Sequence, residues 1–245
     1  MFDIFDAHCH LDAYNYPEEV ISEAVKSGYR IITCGYTLEA SLKAVEIAQK
    51  NESVYAVVGI APQQAMRDFD VEWVDKIRAL FSQSKVIAIG EIGLDYHWGK
   101  TEAERNAQKR CFEAFIKLAE ETKKPVVIHS RKAEADVISR LADSHVEKVM
   151  LHCFSGSVSE AKAAAERGWL ISVPPVSSNG RKKAIKAVGI ERILVESDAP
   201  YIGKSPLSVR YSISLVADAL GISEEEVAVA TSENCRTFYG LKKAE

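Results

Sequence analysis

Four of the six histidines in the chain stand directly after short apolar runs: His8 and His10 near the N-terminus, then His129 and His152. Two acids, Glu91 and Asp198, occupy equivalent places after runs of their own. Side chains alternate along a strand, so His8 and His10 share one face while Cys9 between them turns toward packing. Ionisable groups beside an apolar core are costly unless paired or ligated, and metal binding supplies that compensation. Four neutral imidazoles and two carboxylates are enough for two divalent cations, with one acid free to bridge them. Two dications set against two carboxylates and a hydroxide leave a small positive charge, which favours an anionic substrate. Nitrogen-rich ligation suits Zn²⁺, Mn²⁺ or Co²⁺ better than Mg²⁺, and the residue types do not choose among the four.

The elements that must carry these residues are legible as alternation. Apolar, β-branched runs at Phe2–Ala7, Arg30–Cys34, Val54–Ile60, Val86–Ile89, Pro125–Ile128, Lys148–Leu151, Trp169–Val173 and Arg192–Val195 predict eight strands. Between them, helical periodicity predicts helices over Glu18–Ser27, Leu38–Lys50, Val71–Ser82, Glu102–Glu121, Ala133–Asp143, Ser159–Arg167 and Arg181–Val188. In the Glu102–Glu121 segment, for example, Ala107, Cys111, Ala114, Phe115 and Leu118 fall three or four apart and form one apolar stripe. Two further helices are expected over Pro206–Leu220 and Glu224–Phe238, with Gly221 closing the first and Ser223 capping the second. Eight strand–helix repeats without a linker predict an α/β chain folded as a single-domain TIM (β/α)₈ barrel spanning residues 1–245. An open doubly wound sheet shares the alternation and is the competing architecture. A barrel builds its site at the C-terminal strand ends, which is where all six candidate ligands fall.

Composition narrows the class of function. With 47% hydrophobic and 27% charged residues the chain is globular rather than disordered or coiled-coil. No apolar run approaches the ~20 residues of a bilayer-crossing helix, so no membrane association is expected. Acids at Asp3 and Asp6 stand where a signal peptide would carry Lys or Arg, so the expected location is the cytoplasm. Five scattered cysteines without a CxxC pair predict reduced, buried thiols and no thiolate zinc knuckle. A net charge of −4 argues against a non-specific nucleic-acid coat but leaves room for a local basic pocket. No obligate protein partner is implied.

The run Phe5-Asp6-Ala7-His8-Cys9-His10-Leu11-Asp12 resembles the start of the TatD-type metal-dependent deoxyribonucleases of the amidohydrolase superfamily. Gly90-Glu91-Ile92-Gly93-Leu94-Asp95-Tyr96, Pro125 through Arg131, His152-Cys153-Phe154-Ser155-Gly156 and Glu196-Ser197-Asp198-Ala199-Pro200-Tyr201 follow in that family's order. The resemblance implies a TIM barrel with a binuclear site. His8, His10 and Asp198 would hold one metal, His129 and His152 the second, and Glu91 would bridge. A metal-activated water would be the nucleophile and Asp198 the general base.

Around that centre, Arg131 could clamp a phosphate oxygen with its planar fork. Phe154-Ser155-Gly156 is either a substrate-positioning segment or a tight turn, and His97-Trp98 either a stacking pair or a surface loop. Two family patterns are altered. Where such nucleases typically carry Gly-x-His-Pro-His, this chain reads Gly59-Ile60-Ala61-Pro62-Gln63, so both imidazoles are gone and Gln63 can offer a hydrogen bond but no proton. Lys204-Ser205-Pro206 replaces an Arg-Asn-Glu-Pro type of segment, leaving Lys204 as the nearby cation. The first reading is a phosphodiesterase trimming single-stranded DNA or DNA ends, in the manner of a 3′–5′ exonuclease, with Arg131, Gln63 or Lys204 on the substrate and a steep salt dependence. The alternative is a metal-dependent hydrolase of a lactone, small ester, amide or aminoacyl-tRNA ester. The third is a metal-bound binding module without turnover.

Overall fold

In the computed structural model, which describes residues 3–242, eight parallel strands pair in chain order around one sheet. They are β1 (Ile4–Cys9), β2 (Tyr29–Cys34), β3 (Val54–Val58), β4 (Val86–Asp95), β5 (Val126–Arg131), β6 (Val149–Leu151), β7 (Leu170–Val173) and β8 (Ile193–Val195). The outer layer consists of α1 (Pro17–Lys26), α2 (Leu38–Lys50), α3 (Pro62–Asp68), α4 (Glu72–Ala79), α5 (Glu102–Thr122), α6 (Glu134–Ala142), α7 (Val158–Glu166), α8 (Asn179–Val188), α9 (Val209–Leu220) and α10 (Glu224–Tyr239).

The sheet closes where β8 meets β1. There the Asp198 N–H donates to the His8 carbonyl at 3.0 Å and the His10 N–H to the Ala199 carbonyl at 2.8 Å. The fully buried Asp6 carboxylate reinforces this seam by accepting from the Ser197 N–H at 2.8 Å and from the Ser197 hydroxyl. The barrel of the sequence expectation is therefore the observed fold, and the open doubly wound sheet is excluded.

Inside the barrel the strands contribute apolar side chains, among them Phe5, Ile32, Val57, Ala88, Val127 and Leu194, and α10 adds Cys235, Phe238 and Tyr239. A second core fills the space between strands and helices, where Phe112, Phe115 and Leu118 of α5 are fully buried. Both caps anticipated at the C-terminus are present: Gly221 closes α9 in the left-handed conformation and Ser223 opens α10 with a capping box.

Two strands depart from simple alternation, and both carry site residues. On β1, Asp6 pairs with Ile31 and Cys9 with Thr33, so three steps on one strand match two on the other. On β4, Ile89 pairs with Val126 and Ile92 with Ile128, again three steps against two. Each is a β-bulge, which re-aims the following side chains. Without the bulge the inward Phe5 and Ala7 would be followed by an inward Cys9; with it His8 and His10 turn in and Cys9 joins the outer core.

Several boundaries differ from the sequence reading. The strand expected at Val86–Ile89 continues to Asp95, so Glu91 lies within β4 rather than after it, and β5 runs on to carry His129 and Arg131. The first strand starts at Ile4 and continues to Cys9, Phe2 lying outside the described residues. The third stops at Val58 rather than Ile60. Helix α3, opened by Pro62 at its first turn, occupies a segment for which the sequence reading predicted no element.

Candidate active site

The six anticipated residues meet at the C-terminal mouth of the barrel, all of them buried except the partly exposed His129. His8, His10 and Asp198 form one set of donor atoms and Glu91, His129 and His152 another, the atoms of each set lying within 4.8 Å of one another. In the first, the Nε2 atoms of His8 and His10 are 3.2 Å apart, and Asp198 Oδ1 lies 3.8 and 3.4 Å from them. In the second, His129 Nδ1 is 2.7 Å from Glu91 Oε1 and 3.2 Å from His152 Nε2. Glu91 sits between the sets with one oxygen for each. Its Oε2 is 3.7 Å from both His8 and His10 Nε2, while Oε1 faces His129 and, at 3.5 Å, His152.

Hydrogen bonding fixes which ring nitrogens can serve as ligands. His10 Nδ1 donates to the Cys34 carbonyl at 2.8 Å, leaving the Nε2 lone pair for the centre. Buried imidazoles and carboxylates converging this closely need protons between them when metal-free, and a divalent cation suits the place of those protons. His8 Nδ1, His152 Nδ1 and Glu196 Oε1 are buried without a hydrogen-bond partner among the described residues, and the last two face each other at 3.8 Å. Cys34 also lies near His8 and Glu91. Burial pushes its thiol well up, so it stays protonated and is a poor ligand.

Protons are already partitioned among these groups. Burial alone would raise Glu91, but the imidazoles of His152 and His129 outweigh it and hold the carboxyl well below its ordinary value. Asp198 is likewise held low against its burial by His10, His152 and His8. Burial would lower His152, yet Glu91 and Glu196 raise it well above the usual histidine value. His8 goes the other way, depressed by burial and by the neighbouring His152 and His10.

The centre opens into a cavity of about 410 Å³ lined by His10, Tyr36, Ala61, Gln63, Glu91, Trp98, His129, Arg131, His152, Asp198 and Tyr201. Of the expected substrate contacts, Arg131 and Gln63 are in this lining and Lys204 is not. Lys204 is held away by its backbone, whose carbonyl accepts from the Tyr14 hydroxyl at 2.9 Å and whose N–H donates to Ser208 Oγ at 3.1 Å. Phe154 is buried and Ser155 donates to Glu134 at 3.2 Å, so that segment is a packed turn rather than part of the cavity wall. Arg131 is the cation of this lining; together with Lys100 and Lys132 it also adds to the lowering of the neighbouring His97 pKa by desolvation.

Sequence reasoning missed Tyr36, Tyr201 and Asp95 as site residues. Tyr201 packs edge-on to His10, with ring centres 5.0 Å apart. The fully buried Asp95 accepts from His129 Nε2 at 2.9 Å and from Gln63 Nε2 at 3.1 Å. Its place at the end of a motif beginning Gly90-Glu91 was the available signal.

Residues 5–240 match the family model described as TatD related DNase. The chain belongs to this family. An uncharacterised metal-dependent hydrolase of Bacillus subtilis, YabD, is 33% identical over 97% of this chain and 99% of its own length. Human deoxyribonuclease TATDN3 is 28% identical over 96% of this chain and 94% of its own. The crystal structure of the TatD homologue YjjV from Escherichia coli superposes with a TM-score of 0.86 at 23% identity, covering 98% of each chain, and so supports the barrel. TatD relatives are metal-dependent hydrolases, and the protein is an enzyme of that hydrolytic family.

Proposed function

We propose that the protein is a divalent-metal-dependent phosphodiesterase that removes nucleotides from the 3′ end of single-stranded DNA. The observation that carries this reading is Glu91, whose two carboxylate oxygens each face a separate donor set beneath an Arg131-lined cavity. His8, His10 and Asp198 would hold one cation and His129 and His152 the other, with Glu91 between them. When bound, such ions supply Lewis-acid polarisation of a phosphoryl oxygen and acidify water.

The chain's own residues do the rest. Asp198, ionised because its carboxyl is held low, takes the proton of the attacking water and returns it to the leaving oxygen. That return matters because Gln63, on the cavity wall, has no proton to release. Arg131 grips a non-bridging phosphate oxygen. Trp98 and Tyr201, 53% and 59% exposed at the rim, offer flat faces to the terminal bases. A cavity of about 410 Å³ suits one nucleotide at a strand end better than an unbroken duplex.

The test is single-turnover cleavage of 5′- and 3′-labelled single strands by protein loaded with Mn²⁺, Mg²⁺ or Zn²⁺. A descending ladder from the 5′ label with immediate release of the 3′ label is expected. Asp198→Asn should lose at least about a hundredfold in rate, and His10→Ala should abolish the metal dependence. The absence of imidazoles at Ala61 and Gln63 favours a second reading, hydrolysis of esters whose leaving groups are acidic enough to depart without a proton. Full metal loading without DNA cleavage would select it.

A further inference from the structure

Asp95 is fully buried, at the end of β4, and all of its acceptor capacity is committed. Oδ2 takes His129 Nε2 at 2.9 Å and Gln63 Nε2 at 3.1 Å. Oδ1 takes the backbone N–H groups of both His97 and Trp98, each at 2.9 Å. The backbone beneath is clamped as well: the Asp95 N–H donates to Gln108 Oε1 at 2.9 Å, and Gln108 Nε2 returns a bond to the Asp95 carbonyl at 3.0 Å. One oxygen therefore faces a ring of the ligand cluster and the other holds the turn that presents Trp98 to the cavity.

The chemistry of these bonds is directional. An ionised carboxylate accepts only, so His129 must carry its proton on Nε2. Nδ1, 2.7 Å from Glu91 Oε1, faces the cluster and must give up any proton it holds before its lone pair can serve a cation. We propose that Asp95 is a positioning residue with two linked tasks, setting the His129 tautomer on one side and the Trp98 wall on the other. The proposal rests on the metal-centre reading above, although its first task is observable without metal. Gln63 has a defined place in it, as the second donor to Oδ2 that keeps this oxygen from rotating away.

Asparagine separates the two tasks. In Asp95→Asn, Oδ1 can still accept from His97 and Trp98, but Nδ2 meets two further donors and cannot accept the His129 proton. The ring then turns or moves its proton to Nδ1. Asp95→Ala loses both tasks. Nitrogen-15 spectra of histidine-labelled, metal-free protein at alkaline pH, where the ring is neutral, should show His129 as the Nε2–H tautomer in the wild type and not in Asp95→Asn. In chelator competition with Zn²⁺, Asp95→Asn should weaken one of the two sites by about 10–100-fold and leave the other unchanged. Trp98 accessibility, read by indole oxidation, should match the wild type in Asp95→Asn and increase in Asp95→Ala.

An unchanged tautomer in Asp95→Asn overturns the assignment, as does weakening of both metal sites together with a fall in melting temperature, which marks a merely structural residue. If wild-type protein binds no Zn²⁺ while the tautomer behaves as described, the metal-centre reading fails and the positioning role stands.

Discussion

At the residue scale the cluster works through opposed proton affinities. In the metal-free protein the folded-state pKa of His152 lies well above its unfolded value, so its charged form stabilises the fold below the ordinary histidine range. That contribution is lost as pH rises through the elevated value. Glu91 is depressed, so its contribution is present above the ordinary glutamate value and lost on acidification. Metal binding needs neutral imidazoles and must displace the protons held by His152, His129 and His10, all of which are raised, whereas His8 is already neutral. Metal affinity should therefore rise through neutral pH, by about one log unit per pH unit for each proton displaced. The rise should be steeper at the set with two raised imidazoles than at the set containing His8. Chelator competition across that range measures it, and equal, flat affinities would contradict the proton partition. The ligand residues were legible because histidines and acids after apolar runs are expensive without a partner. Asp95 was not, since a lone acid at a strand end reads equally well as a turn residue.

At the element scale, alternation revealed the eight strands and concealed the bulges that aim the site residues. A one-residue bulge changes no composition. Nothing in Val86–Asp95 announces that Ile89 and Ile92 both turn outward while Glu91 turns in. The same blindness shortened β4 on paper, because Gly90 and Glu91 resemble the end of an apolar run. Helix α3 escaped notice because seven residues are too few to establish a period, although Pro62 marked its start. The extension of β4 depends on Gly93. Its φ is +141°, and a Cβ there would lie 2.1 Å from the His129 carbonyl oxygen, so only glycine lets β4 run this close to the strand carrying His129. Gly93→Ala should cost at least about 2 kcal/mol in urea unfolding and impair metal loading at the His129 set, while leaving secondary structure by circular dichroism intact. Wild-type stability in this variant would mean that the strand can shift without consequence for the site.

At the scale of the whole molecule, the seam and the charge distribution decide how the mouth meets a substrate. Closing β8 on β1 through Asp6 and Ser197 brings Asp198, late in the chain, against His8 and His10 at its start. The chain carries a net −4, so its overall field repels a polyanion, and attraction must come from local cations. The sequence offered Arg131 and Lys204, but Lys204 lies outside the cavity lining, so Arg131 is the lining cation and Lys100 and Lys132, which act with it on the neighbouring His97, are the next candidates for phosphate contact. Arg131 with these two lysines would set a modest salt dependence rather than a steep one. For a single strand, each phosphate contact contributes about −0.7 to the slope of log affinity against log salt, so binding should fall with a slope of about −2. The double substitution of Lys100 and Lys132 by Ala should leave only the Arg131 contact and a slope of about −0.7, with the single-turnover rate at saturating DNA unchanged. Fluorescence anisotropy of labelled single strands over a salt series, using Asp198→Asn protein to prevent cleavage, measures both. A slope near zero in the parent would show that phosphates do not anchor the substrate at this rim and would favour a small uncharged ester. A slope far steeper than about −2 would require cations beyond these three.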